Sequence, residues 1–271
     1  MRSASQVCVG FVLRELLWSK ACVVAVASGI IGLDLRSSLA LELGVSTRDD
    51  VCRILEGAEW LAPDALKLAP LLVNHGNLIR RPAGAWVHAE GDEDTGLLIV
   101  VDGAVDLFCH GLGEQRVRVG LVGPGAAVGQ SVRFGGGPRL VTAAAATPCE
   151  ILAVSDTGLS RVAEQSPEIW RAVAKLLYGQ LRYALRFGAD MLTLPPTQRV
   201  AARLSDIAEV TAGLDALPLS QQALGELTGL TRKTINAVLR RLQADKVLFC
   251  DYRRIEIRDL DRLRDIARLS T

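Results

Sequence analysis

The stretch Leu219-Ser220-Gln221-Gln222-Ala223-Leu224-Gly225-Glu226-Leu227-Thr228-Gly229-Leu230-Thr231-Arg232-Lys233-Thr234-Ile235-Asn236-Ala237-Val238-Leu239-Arg240-Arg241-Leu242 decides how this chain is read. It predicts two short helices joined by a tight turn. Ser220 is suited to cap the first, because its hydroxyl accepts from an otherwise unpaired amide of the first turn. Ala223, Leu224 and Leu227 give that helix a narrow apolar face, and Ala223 is small enough to let a second helix cross closely. Gly229 falls where the first helix must end, and glycine takes the left-handed cap without a Cβ penalty. Thr231 then caps the second helix. Ile235, Val238, Leu239 and Leu242 recur at i, i+3, i+4 and i+7 and so face a core.

Downstream, Val247-Leu248-Phe249-Cys250, the polar turn Asp251-Tyr252-Arg253-Arg254 and Ile255-Glu256-Ile257 predict a short hairpin with cations at its tip, a wing. From Thr231 to Arg254 seven Lys/Arg stand against two Asp, a local charge of +5 in a chain of net charge +1, so the remainder carries −4. Positive charge focused on one helix-turn-helix is the footprint of a DNA reader. The residues expected against DNA are Ser220, Thr231, Arg232, Lys233, Thr234, Asn236, Ala237, Arg240, Arg241 and Arg253. The amino-terminal members of the second helix meet base edges, and Arg240 and Arg241 are better placed for phosphates. The plain alternative is an amphipathic helix pair with solvated charges. Two caps, a glycine turn and a basic hairpin together weigh against it.

With 49% hydrophobic but only 4% aromatic residues in a chain of 271, aliphatic side chains must fill the cores, and the length allows two domains. Six Cys (8, 22, 52, 109, 149, 250) form no CxxC pair and read as thiols of a reducing compartment, not a disulfide framework. The apolar run 21–33 is 13 residues long, between Lys20 and Asp34, too short to span a bilayer. Arg14, Glu15 and Lys20 also spoil it as a signal peptide. The expectation is a cytoplasmic protein with no membrane partner.

Thirteen of the 25 glycines lie between Gly84 and Gly137. Among and after them run Leu97-Leu98-Ile99-Val100-Val101, Val105-Asp106-Leu107-Phe108, Val117-Arg118-Val119-Gly120-Leu121-Val122, residues 141–146 and Ile151-Leu152-Ala153-Val154. Short strands with Gly-rich turns predict an antiparallel, jelly-roll-like β-roll, and Asp102-Gly103 reads as a hairpin turn between two of them. After Ser166-Pro167 the period becomes helical. Trp170, Val173, Leu177, Leu181, Ala184, Gly188 and Met191 trace a stripe that Pro195-Pro196 ends. So long a helix between two domains pairs with its copy in a second subunit, or else packs wholly on its own β domain. Residues 197–212 form a further helix leading into the DNA-binding unit.

This order resembles the Crp/Fnr family of transcription regulators over about residues 51–271. The resemblance rests on Glu90-Gly91-Asp92, Val101-Asp102-Gly103-Ala104-Val105, Gly123-Pro124-Gly125 and the helix-turn-helix. It implies an α+β chain. Residues 1–50 are an extension of unknown role, 51–165 a cyclic-nucleotide-binding-like β-roll, 166–193 a dimerisation helix and 194–271 a winged helix-turn-helix. The implied partners are a two-fold symmetric double-stranded DNA operator, a second copy of the chain and RNA polymerase. No enzyme activity is expected.

In the family a Gly-Glu-Leu segment takes a ribose hydroxyl through its glutamate, and an arginine with backbone amides takes the cyclic phosphate. The matching residues are Gly129, Gln130 and Ser131, then Arg139 and Leu140, with Ala184 and Leu185 where cyclic-AMP-binding members carry Thr-Ser toward the base. Arg139 is kept, so the resemblance leaves a nucleotide or another small anion as effector. Gln130, Leu140, Ala184 and Leu185 point away from cyclic AMP, or to action without ligand. Lys233 and Ala237 replace the Glu and the second Arg of the family's reading set, which implies a different operator.

Other chemistries fit less well. Cys8, Cys22 and Cys52 lack the close spacing of an iron–sulfur cluster. Cys109-His110 suggests a haem or redox sensor with the same DNA output, against the commoner reading of a turn His beside a core Cys. Three His (75, 88, 110) without a cluster argue against a β-roll metalloenzyme, and a ligand carrier is the remaining alternative. Ser160, Asp156 and His88 have no nucleophile turn, and Gly135-Gly136-Gly137 is no phosphate fingerprint. No metal is called for. Residues 1–50 show helical stripes (Phe11, Val12, Leu16; Leu33, Leu39, Leu41, Leu43). They are an accessory helix pair, a partner surface, or translation from a start the cell does not use.

Overall fold

The computed structural model describes residues 46–93, 96–111, 116–129, 137–211 and 214–268. The expectations for the apolar run 21–33, for the helical stripes of residues 1–50 and for Cys8 and Cys22 fall outside these residues. Among the described residues no helix is long and apolar enough to cross a membrane.

Helix α1 (Arg48–Glu56), a 3₁₀ turn (Glu59–Leu61) and helix α2 (Ala65–His75) precede the first strand. Their apolar faces, with Val51, Leu55, Leu61, Leu68 and Leu72 fully buried, lie under the β-roll in one core with Leu97, Ile99, Leu152 and the start of a long helix. The roll is two four-stranded antiparallel sheets. One has the order β1 (Asn77–Arg81), β8 (Cys149–Val154), β3 (Leu97–Asp102), β6 (Ala127–Val128). The other has the order β2 (Trp86–His88), β7 (Thr142–Ala145), β4 (Val105–His110), β5 (Arg116–Val122). Val100, Val105, Ala143, Ala145 and Ile151 fill the space between them.

Asp102-Gly103 is not a hairpin turn. β3 and β4 belong to different sheets, and the turn carries the chain across a corner of the sandwich. Gly103 stands at φ +79, and a Cβ there would collide with the Pro148 carbonyl, so the corner needs glycine. Strands β1, β2 and β6 carry too little alternation to be read from sequence. β1 ends in two arginines, β2 has three residues and a bulge, and β6 has two residues.

Helix α3 (Asp156–Gln165), capped by the Ser155 hydroxyl, leads into the 26-residue helix α4 (Glu168–Thr193). The predicted stripe on α4 divides between two environments. Ile169, Ala172, Val173 and Leu176 are buried, and beyond them one side of the helix still touches the roll, through Gln180 to Ala127 O at 3.0 Å, while the other is open. Tyr178, Leu181, Leu185 and Leu192 are 68, 56, 68 and 88% exposed. With exposed Ala174 and Gly188 they recur at alternating steps of four and three.

Helix α5 (Pro196–Val210) starts on a proline, whose missing N–H is no loss in the first turn. It packs with α6 (Gln221–Thr228), α7 (Arg232–Ala244), the ribbon β9 (Leu248–Asp251) and β10 (Arg254–Ile257), and α8 (Leu260–Arg268). The core of this module also takes in Ala104 and Leu121 of the roll.

Arg203 on α5 is wholly buried at the junction with α4. Its guanidinium donates to the Tyr183 hydroxyl at 2.9 Å, lies 4.2 Å from the Phe187 ring centre, and faces Asp206 at 3.4 Å and Asp190 at 4.0 Å. Burial raises the Asp206 pKa, and Arg203 opposes the rise. Arg203→Ala is expected to destabilise the fold by about 3–5 kcal/mol in urea unfolding, because it empties a buried site and leaves the half-buried Asp190 and Asp206 without their cation. A loss under about 1 kcal/mol, the level of an exposed ion pair, would contradict that account.

Candidate nucleic-acid interface

The caps of the two-helix unit form as their residues dictate. The Ser220 hydroxyl accepts from the Ala223 amide at 3.0 Å. Gly229 takes φ +65, its amide donates to the Gly225 carbonyl, and Leu230 N donates to the same oxygen at 3.2 Å. The Thr231 hydroxyl accepts from Thr234 N at 3.2 Å and pairs with the Thr234 hydroxyl at 2.9 Å. Ser220, Thr231 and Thr234 thus hold the backbone in shape. The side chains projecting outward are Arg232, Lys233, Ala237, Arg240 and Arg241, with Asn236 half-buried beside them. Ile235, Val238, Leu239 and Leu242 anchor the opposite face of α7 in the core.

Between α7 and the wing lies a cleft of about 340 Å³ lined by Gln221, Asn236, Leu239, Arg240, Gln243 and Cys250. Gln221 and Gln243 escape the sequence reading. The position of Gln221, directly after the capping Ser220, is the only local signal for it. Gln243 Oε1 accepts from Cys250 N at 3.0 Å and ties the wing to α7. Burial raises the Cys250 pKa, so its thiol stays protonated.

The wing turn is narrower than expected, with Tyr252 and Arg253 at the tip and Asp251 paired to Arg254. Among the described residues the two non-glycine residues at positive φ are Lys246 (φ 60) and Arg253 (φ 55). Lys246 closes α7 in a Schellman arrangement, with its amide bonded to Gln243 O at 3.0 Å and Val247 N to Leu242 O at 2.9 Å. Both places favour glycine, and both hold a cation. Among the described residues Arg232, Lys233, Arg240, Arg241, Lys246, Arg253 and Arg254 make no ion pair. All seven are exposed. A surface of unneutralised cations around a capped helix is what an anionic duplex would meet.

The effector residues are gathered less completely. Arg139 is 4% exposed and donates through NH1 to the Gly129 carbonyl at 2.5 Å. Gly129 sits at φ +85, and a Cβ there would enter the guanidinium. Gln130 and Ser131 lie outside the described residues. Leu140 is 72% exposed, and Ala184 and Leu185 are exposed on α4, so one chain does not enclose the set. A residue not predicted for this site, His88, is buried beside Arg139. His110 Nδ1 stands 2.9 Å from Glu90 Oε2, and this contact, the larger cause, lowers the Glu90 pKa. Among the described residues no group of three or more His, Cys, Asp or Glu could hold a metal ion.

The roll and the helix-turn-helix module meet along β4 and β5. Arg118 pairs with Asp106 on the neighbouring strand and, at 3.4 Å, with Glu226 of α6. Its guanidinium also lies 4.8 Å from the Phe108 ring centre. Gly123 N donates to Val210 O at 3.1 Å, and Tyr183 donates to Val119 O at 3.4 Å.

Comparison with known proteins agrees with this architecture. Residues 78–166 match the cyclic nucleotide-binding domain and residues 198–266 the Crp-like helix-turn-helix domain. The chain is 30% identical over 191 residues to a CRP-like cAMP-activated global transcriptional regulator of Mycobacterium tuberculosis, covering 64% of this chain and 84% of the relative. It is 29% identical over 209 residues to the cyclic AMP receptor protein of Thermus thermophilus, covering 76% and 94%. Among solved structures, FixK2 of Bradyrhizobium japonicum superposes with a TM-score of 0.61 at 22% identity, over 72% of this chain and 99% of that one.

Arg253→Gly separates fold from charge at the wing. Relief of the left-handed strain, less the extra entropy of glycine, should raise stability by about 0.5 kcal/mol. The slope of log K against log salt for DNA should fall by about 1. Both are read from thermal unfolding and fluorescence anisotropy. An unchanged slope would remove Arg253 from the interface.

Proposed function

The chain belongs to the Crp/Fnr family of transcription regulators, and on that premise we propose that it acts as a homodimer on a two-fold symmetric operator. Residues 51–165 sense, 166–193 pair the subunits, 194–271 read DNA, and 1–50 are an added extension. The observation that carries the DNA reading is the capped helix α7 with its exposed, unpaired cations. Arg232 addresses guanine, Lys233 and Ala237 alter the remaining base contacts, and Arg240, Arg241 and Arg253 neutralise phosphates.

The exposed line of α4 supports the dimer. Ala174, Tyr178, Leu181, Leu185, Gly188 and Leu192 have the alternating three-four spacing of a coiled-coil seam, and they stay exposed among the described residues. A parallel pair would bury them and seat Gly188 where the helices approach closely. The effector of this reading is an anion other than cyclic AMP. Arg139 supplies the charge. Leu140, Ala184 and Leu185 offer no hydrogen bond from their side chains. The relatives named for cyclic AMP therefore do not transfer their ligand to this chain.

The test is binding to genomic fragments at two salt concentrations, followed by footprinting. A protected symmetric site whose affinity falls steeply with salt is expected. Arg232→Ala should cost about 1–3 kcal/mol on the preferred site and relax base preference, while Arg241→Ala should weaken all sequences alike. Leu181→Glu should give monomers in light scattering and abolish protection of the paired half-sites. A Leu181→Glu protein that stays dimeric would refute the seam, and uniform binding without salt dependence would refute the DNA reading.

A further inference from the structure

We propose that His88 is the specificity-determining residue of the sensor pocket, pairing with a hydroxyl on a small phosphate ester whose phosphate is held by Arg139. The proposal rests on the reading of the β-roll as an anion sensor and adds which anions it accepts. It starts from the bulge in β2. The pairing with β7 slips between Trp86, opposite Ala144, and His88, opposite Ala143. Such a slip re-aims the following side chain. Trp86 is 60% exposed, whereas His88 is 6% exposed and shares the inward face with the fully buried Ala143. The bulge thus turns an imidazole into the roll just before the segment that pairs with Arg139, where Gly91 N donates to Arg139 O and Arg139 N to Asp92 O, both at 2.9 Å.

Once there, the imidazole is left unsatisfied. Neither Nδ1 nor Nε2 of His88 meets a partner at hydrogen-bonding geometry among the described residues. Burial, and then the charge of Arg139, pull its pKa down to about 4, and the nearby Ala89 and Val141 carbonyls and Asp92 carboxylate do not offset them. The ring is therefore neutral near pH 7, with one N–H donor and one lone-pair acceptor. A hydroxyl both donates and accepts, so it complements such a ring. Sulfate, which carries no O–H near pH 7, offers only acceptors and gains mainly from Arg139. Leaving both nitrogens of a buried imidazole unpaired is costly, and a residue packing for stability alone would be apolar here.

The experiment uses the full chain with three probes: sulfate, ribose 5-phosphate and cyclic GMP. Calorimetry gives Kd, and long-range ¹H–¹⁵N spectra report on the ring nitrogens of the three histidines. At least one hydroxylated ester should bind and shift the His88 nitrogens while His75 and His110 stay put. His88→Leu should weaken that ester at least ten-fold, change sulfate affinity less than two-fold, and raise Tm. His88→Gln, which keeps a donor and an acceptor, should recover part of the loss. If the ester binds wild-type protein and His88→Leu equally, or leaves the His88 signals unmoved, His88 is only a packing residue and the anion sensor stands. If no probe binds wild-type protein at millimolar concentration, the sensor reading falls and His88 with it. The spectra of the wild-type protein decide the matter even where a variant fails to fold.

Discussion

A guanidinium with no exposed surface, that of Arg203, governs how the two halves of this protein face each other. A buried charge cannot leave its partners without a large loss. Those partners come from α4 (Tyr183, Phe187, Asp190) and from α5 itself (Asp206). The crossing of the long helix and the first helix of the DNA-binding module is therefore held by one group with contacts on both. An apolar side chain could fill the volume but would not fix the angle in the same way, because hydrophobic contact has no preferred direction. The recognition helix α7 is carried by α5 through a shared core, so the direction in which its cations point follows from that crossing.

A second contact closes the loop between input and output. The β4–β5 hairpin buries Ala104 and Leu121 in the core of the DNA-binding module, and Arg118 spans Asp106 and Glu226 at its edge. β4 pairs with β7, and β7 pairs with β2, the strand that holds His88. A change at the Arg139 end of the roll thus has a short, packed route to α6. The route is physical adjacency. Its worth as coupling depends on the module having a second arrangement against the hairpin.

The helix-turn-helix was legible because its signals are local. Ser220, Gly229 and Thr231 each act on backbone groups within three or four residues, and all three take the expected geometry. The strong strands were legible for the same reason. Asp102-Gly103 misled because a sharp turn looks the same whether the chain returns to its own sheet or crosses to the other, and only the pairing separates the two. On α4 the predicted stripe changes environment along its length, with Val173 buried and Leu181 and Gly188 exposed, because periodicity alone does not say which part of an apolar line the chain's own core reaches. His88 could not be found, since a lone His in a short strand carries no periodicity, and the bulge that turns it inward arises from pairing with residues more than fifty positions away.

Three residues break local rules in this fold. Lys246 and Arg253 occupy left-handed positions that glycine would fill with less strain, and His88 lies unpaired where an aliphatic side chain would pack. A fold selected for stability alone would discard all three. Lys246 at the end of α7 and Arg253 at the wing tip face the solvent, and His88 faces the interior within reach of the Arg139 charge. Arg203 also leaves Nε and Nη2 without a hydrogen-bond partner among the described residues, yet Tyr183 takes Nη1 and Asp190 and Asp206 face its charge, so its burial fixes the crossing of α4 and α5. At Arg253 and His88 the local cost has no such structural return, and these are the positions proposed to meet DNA and an effector.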